Sequence, residues 1–330
     1  MNSFGRLFRV HIFGESHGEC VGLTVDGCPS GTILALDDFT AQLERRKGGT
    51  RGTTPRKEDD IPRIMTGVFN GKTTGAPITI LFDNARVRSE DYDKQRAIPR
   101  PGHADFVAHK KFGGYEDYRG SGHFSGRLTV CLVAAGVIAK KILSGIAIDA
   151  AIAEIGGETD IEKGLQRAIE NKDSIGGIIE CRVTGLPVGL GEPFFDSAES
   201  LISHAVFSIP AVRGIEFGTG FAAAKMFGSR HNDVITDEHG KTKTNHAGGI
   251  VGGLTNGNEM VFRIAIKPTS STPAQQESLN WETRTMENFS IKGRHDLCIA
   301  LRVPVILESV TAIVLADLML LEQRIPKIFI

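Results

Sequence analysis

Cysteines are too few and too scattered for a disulfide or zinc framework. The five present, Cys20, Cys28, Cys131, Cys181 and Cys298, are odd in number and form no CxxC pair. A reduced, cytoplasmic protein is the expectation. The histidines lack ligand spacing such as HxxxH, so no metal is expected. An excess of one charge is missing as well, since 38 lysines and arginines meet 39 aspartates and glutamates. Bulk nucleic-acid binding, which needs a basic excess, is therefore not expected. The longest apolar runs carry charges, Lys140 and Lys141 in one and Asp317 in the other. Neither a membrane span nor a signal peptide is expected. No low-complexity linker divides the chain, and a single domain over residues 1–330 is the expectation.

Glycine is what the chain has in excess: 39 of 330 residues, about 12% against an ordinary level of roughly 7%. The excess lies in turns and loops rather than in a repeat. Alternation predicts strands over 7–12 and 21–25, with Phe8, Val10 and Ile12 on one face. A helix opens at Asp37 or Asp38 and runs to about Lys47. Residues 78–82, 146–155, 177–183 and 261–266 read as strands. Residues 161–171 and 200–207 read as helices, and 83–125 as mostly irregular. Two long apolar helices are predicted over 126–143 and 305–321, the first with enough alanine for burial on most sides. This order favours α+β, with buried helices between sheets, over a doubly wound parallel sheet.

Titratable residues gather in the glycine-rich segments. Gly14-Glu15-Ser16-His17-Gly18 suits proton transfer where backbone approaches a ligand closely, although a plain hairpin loop explains it too. It also fits GxSxG, but a nucleophile elbow needs a strand–turn–helix, and a strand is expected after Gly18. The run from Arg119 to Arg127 enters a helix with glycines and hydroxyls, as a capping loop or an anion site. Arg127 in the first turn opposes the helix dipole unless an anion lies nearby. Arg100-Pro101-Gly102-His103-Ala104-Asp105 fixes a turn before a histidine. Lys267-Pro268-Thr269-Ser270-Ser271 offers a cation and three hydroxyls, and Arg294-His295-Asp296 a carboxylate beside an arginine.

Taken in order, these runs resemble the chorismate synthase family over nearly the whole chain. Gly14–Gly18 with Val21–Pro29 resembles a first signature, Ser125-Gly126-Arg127 with the alanine-rich helix a second, and Gly293–Asp296 through Leu307-Glu308-Ser309 a third. The resemblance implies long core helices sandwiched between antiparallel sheets, assembled as a homotetramer. It implies conversion of 5-enolpyruvylshikimate-3-phosphate to chorismate and phosphate, a trans-1,4-elimination that needs reduced FMN. NADPH would be an indirect reductant, and a separate flavin reductase a partner. The alternatives are an FMN-dependent oxidoreductase with net redox turnover and a catalytically silent FMN binder.

The resemblance also distributes roles. His17 and His103 would be proton donors, one toward the leaving phosphate and one toward the flavin. Ser16 and Ser125 would position or relay protons, and Asp296 would act at flavin nitrogen five. Arg46, Arg51, Arg100 and Arg127 would hold substrate, since forked guanidinium donors suit carboxylate and phosphate. FMN contacts would come from His123, Phe124, Ser125, Ala211, Gly252, Lys267, Pro268, Thr269, Ser270, Ser271 and Arg294. Two positions depart from the pattern: His123-Phe124 stands where many members have arginine-serine, and Pro210 where asparagine often precedes Ala211.

Overall fold

The computed structural model describes residues 2–55, 58–84, 96–291 and 295–329. One sheet is built from β1 (Ser3–Phe4), β2 (Arg9–Gly14), β3 (Cys20–Asp26) and β4 (Arg63–Ile64). After the short hairpin of β5 (Val68–Phe69) and β6 (Lys72–Thr73), β7 (Ile78–Asp83) completes it. Its order is β1-β2-β3-β7-β4, with antiparallel neighbours. The second sheet uses β8 (Ala147–Ile155), β9 (Gly177–Thr184) and β10 (Val212–Phe217). The hairpin of β11 (Ile250–Val251) and β12 (Leu254–Thr255) then precedes β13 (Met260–Ile266). The order is β10-β13-β9-β8, also antiparallel. A hairpin of β14 (Gln276–Asn280) and β15 (Thr285–Phe289) follows.

Two helices, Thr129–Ile142 and Pro304–Leu321, pack on each other between these sheets. The first lies against β2 and β3, the second against β8 and β9. Sandwiching explains their composition: a helix with no solvent face has no place for a polar stripe. Pro304–Leu321 is long and apolar enough to cross a membrane, yet it is mostly buried inside the protein. The helices approach closely at Gly136, where an added Cβ would stand 2.6 Å from Ser309 Oγ. Glu308, buried one residue away, accepts from Arg45 Nη1 and Nη2 at 2.8 and 2.6 Å, from Lys140 Nζ at 2.9 Å, and from the Ala150 amide. That carboxylate ties the Asp37–Arg46 helix, both core helices and β8 together.

The architecture is the α+β sandwich anticipated from sequence. Several elements were not expected, among them β10, the β5–β6 and β11–β12 hairpins and the two described next. A helix occupies Asp105–Phe112 within the stretch read as irregular, and its only buried residue is Ala108. With one buried position it carries no apolar stripe for periodicity to detect. The β14–β15 hairpin was likewise unanticipated, because apart from the polar Asn280 its residues are only half-buried or exposed.

Candidate active site

A cavity of about 740 Å³ opens between the first sheet, the core helices and the loops at one end of the second sheet. The β2–β3 hairpin loop supplies Ser16 and His17. Gly14 turns this loop at φ 95°, where an added Cβ would meet the Cys20 carbonyl. Asn84 Nδ2 donates to the carbonyls of Glu15 and Gly18, both at 2.9 Å, and braces the loop from the end of β7. Ser16 lines the cavity. His17 is buried beneath the Arg119–Phe124 turn, where a Cβ on Gly120 would stand 2.6 Å from its Nε2.

That turn holds three successive left-handed residues, Gly120, Ser121 and Gly122, and Ser121 is no glycine. It brings Ser121 Oγ to 3.3 Å from His103 Nε2. Arg100, nearly buried, sits between several elements. It donates Nε and Nη2 to Asp105, both at 2.7 Å, Nη1 to Ser271 Oγ at 2.9 Å, and Nη2 to Ser121 Oγ at 3.0 Å. His123 Nδ1 donates to the Gly14 carbonyl at 3.0 Å. Ser125 caps the turn entering the first core helix, accepting from the Arg127 amide.

Deeper in, Asp60 bridges two buried guanidiniums, Arg46 and Arg127. Burial alone would raise the Asp60 carboxyl; the charges of Arg46 and Arg127 outweigh it and hold the group below the ordinary carboxylate range. Arg46 is pushed down by burial, with Asp60 opposing. Arg127 also donates Nε to Asn84 Oδ1 at 2.9 Å, so the arginine and the Ser16–His17 loop share one brace. Asp296 accepts from the Thr54 amide at 2.9 Å and pairs with Arg302 at 3.0 Å. Lys267 Nζ reaches Ser270 Oγ at 2.9 Å, and its amide donates to Ala211, a non-glycine residue at φ 74°. Burial, with Arg213 nearby, lowers Lys267.

Among the described residues, six cationic side chains line the cavity, Arg46, Lys47, Arg100, Arg127, Lys267 and Arg302, against two carboxylates, Glu58 and Asp296. Such a surface in a partly desolvated cavity is complementary to a polyanionic ligand. A sequence profile described as chorismate synthase matches residues 8–320. The chain belongs to the chorismate synthase family. A chorismate synthase of Chitinophaga pinensis is 67% identical over 330 residues, covering 100% of this chain and 99% of that protein. One from Methanocaldococcus jannaschii is 40% identical, covering 97% and 96%. A crystal structure of chorismate synthase superposes with a TM-score of 0.73 at 26% identity, covering 97% of this chain and 93% of the other. The chain is accordingly an enzyme, a chorismate-forming lyase of the shikimate pathway.

Most of the residues singled out from sequence converge. Ser16, Arg46, Arg100, His103, His123, Phe124, Ser125, Arg127, Ala211, Lys267, Thr269, Ser270, Ser271 and Asp296 line the cavity, as does Pro210. His17 and Pro268 adjoin lining residues. Arg51 stands apart, paired with Glu162 at 2.5 Å and Gln166 at 2.6 Å. Gly252 turns the β11–β12 hairpin and does not line the cavity. Arg294 lies outside the described residues. Sequence reasoning gave no role to Asp60, Asn84, Asp105, Ser121, His295 or Arg302, although Asp105, Ser121 and His295 lie within runs it singled out. His295 lines the cavity with a buried Nε2 that has no hydrogen-bond partner among the described residues, and burial and Arg100 lower its pKa.

Proposed function

We propose that this enzyme removes phosphate from 5-enolpyruvylshikimate-3-phosphate by trans-1,4-elimination, with reduced FMN as cofactor. The excess of cations among the described residues lining the cavity carries the reading, because that substrate brings two carboxylates and a phosphate and FMN another phosphate. The lining also fits the flavin. Lys267 with Thr269, Ser270 and Ser271 suits a phosphate or a ring edge, the unpartnered His295 Nε2 suits a polar ring atom, and Leu132, Ile306 and Val310 suit a planar apolar surface. Bound reduced FMN would supply electron density for phosphate departure and a base for the ring proton. The protein supplies orientation and electrostatics.

Arg46, Arg100 and Arg127 hold the substrate anions with fixed, forked donors. Asp60 holds Arg46 and Arg127 in place before substrate arrives, so little reorganisation remains at binding. His17 and His103 give protons, one toward the leaving phosphate and one toward the cofactor, with Ser16 and Ser125 beside the path. Asp296, oriented by Arg302 and the Thr54 amide, faces the same cavity as acceptor.

The continuous hydrophobic core spanning both sheets supports one domain over residues 1–330. Phe194, Phe195, Phe221 and Phe227, all more than four-fifths exposed, support self-association into the proposed homotetramer. Cytoplasmic residence and reduction of the flavin by a separate NADPH-dependent reductase complete the proposal.

The test is anaerobic. Protein, photoreduced FMN and 5-enolpyruvylshikimate-3-phosphate are mixed, and phosphate release is followed with the chorismate diene absorbance. Equal formation of both products, with the flavin still reduced at the end, is expected. Net flavin oxidation in step with product would favour the oxidoreductase alternative instead.

A further inference from the structure

Asp105 does more than shape the turn that carries Arg100. Its Oδ1 lies 2.6 Å from His103 Nδ1, and the opposite ring nitrogen, Nε2, faces Ser121 Oγ at 3.3 Å. Burial opposes ionisation of Asp105, but hydrogen bonds from Arg100 and His103 outweigh it and hold the carboxyl far below its ordinary range. An ionised carboxylate only accepts, so at this distance His103 Nδ1 carries a proton; Arg100 Nη2, 3.1 Å from the same nitrogen, spends its two protons on the shorter bonds to Asp105 and Ser121. In the neutral ring Nε2 is then the bare nitrogen.

Ser121 completes the set. Arg100 Nη2 donates to its oxygen at 3.0 Å and cannot accept. The Ser121 hydroxyl proton is thereby left for another acceptor, and Ser121 borders the cavity. Holding a serine at φ 70° costs backbone energy. The flanking left-handed glycines, Gly120 and Gly122, keep the turn tight enough to aim Oγ at the imidazole. The arrangement resembles a serine–histidine–aspartate relay, but with the serine oxygen already engaged by a guanidinium. That engagement suits a proton conductor better than a nucleophile.

We propose that Asp105 is a positioning residue which fixes His103 as its Nδ1–H tautomer, and that Ser121 relays the proton between His103 Nε2 and the ligand in the cavity. In the donating direction, protonated Nε2 gives its proton to Ser121 Oγ as Ser121 gives its own to the acceptor. Ser121 ends as the same hydroxyl, and His103 ends neutral with Nδ1 still bonded to Asp105. The relay rests on the proposed role of His103 as a proton donor; the tautomer does not.

Two measurements separate these parts. Histidine-ring 15N labelling of the intact free protein, with His103→Gln to assign the signals, reads the tautomer without any reaction. Wild type is expected to show Nδ1 protonated and Nε2 bare. Asp105→Asn is expected to admit the Nε2–H form, and Asp105→Glu to restore the original. A wild-type Nε2–H tautomer, or an Asp105→Asn spectrum identical to wild type, would overturn the positioning role. In the anaerobic assay, Ser121→Gly keeps the left-handed backbone without strain and is expected to lower kcat at least about tenfold, with KM within about threefold. Unchanged kcat would overturn the relay. If wild type itself made no chorismate, the functional reading would fall, and the spectra would still decide the role of Asp105.

Discussion

Gly120 lies directly against the imidazole of His17: a Cβ placed there would stand 2.5 Å from Cδ2, 2.6 Å from Nε2 and 2.9 Å from Ser16 Oγ. Both proposed site residues of the β2–β3 loop are thus positioned by the absence of one methyl group. Gly120→Ala must move them or the turn, and at φ 56° alanine is strained as well. We expect kcat to fall about a hundredfold, since a displacement near 1 Å at a proton donor is enough for that. The loss of stability should be only about 1–2 kcal/mol. Steady-state kinetics with urea denaturation check both; wild-type turnover would show that His17 tolerates displacement.

Gly136 meets Ser309 where the core helices cross, remote from solvent. Gly136→Ala raises helix propensity by roughly 1 kcal/mol but overpacks the crossing. The neighbour is a helix backbone with its Cβ and cannot swing aside. We therefore expect net destabilisation of about 1–3 kcal/mol, read as a lower urea midpoint at unchanged m-value. A more stable variant would mean that the helices separate without cost.

The two core helices were legible because burial on all sides leaves its mark in composition, which needs no knowledge of partners. The helix over residues 105–112 was not, since exposure around nearly its whole circumference leaves no period. The site divides similarly. His17, His103 and Asp296 stood out as titratable groups, and Ser16 as a hydroxyl beside one, among glycines or beside arginine. Asp60 did not, because Glu58-Asp59-Asp60 reads as a solvated acidic run. Only the fold brings Asp60 to Arg127, 67 residues away in sequence. Ser121 needed its left-handed backbone to become distinctive, and no propensity scale anticipates that for a serine.

Acid should weaken the fold through three carboxylates. Glu308 is held low despite burial by hydrogen bonds from Arg45 and Lys140. Asp60 and Asp105 are held low in the same way by their guanidiniums. Each folded-state pKa lies below the unfolded value. The stabilisation is therefore complete above about pH 4.5 and is lost as pH falls through the folded values. Glu308→Gln should cost about 2 kcal/mol at pH 7, less than a fully buried pair because Arg45 and Lys140 still reach water. Its deficit should shrink toward pH 3. Urea midpoints of both proteins between pH 3 and 7 test this; parallel curves would mean that Glu308 does not titrate with unfolding.

Arg51 presents a choice between two partners. Its guanidinium is engaged by Glu162 and Gln166 on the Ile161–Asn171 helix, where both Arg51 and Glu162 are more than half exposed. If Arg51 is to hold substrate, the loop over residues 48–55 must first give up this pair. An exposed pair is worth at most about 1 kcal/mol, so the competition is mild. Glu162→Ala should then lower KM for 5-enolpyruvylshikimate-3-phosphate about two- to fivefold with kcat unchanged, and Arg51→Ala should raise KM in both backgrounds. The gain should fade in high salt, which already screens the pair. If instead KM ignores Glu162 and Arg51 alike, Arg51 belongs to the surface of the helix it touches, and Arg46, Arg100 and Arg127 suffice to bind the substrate.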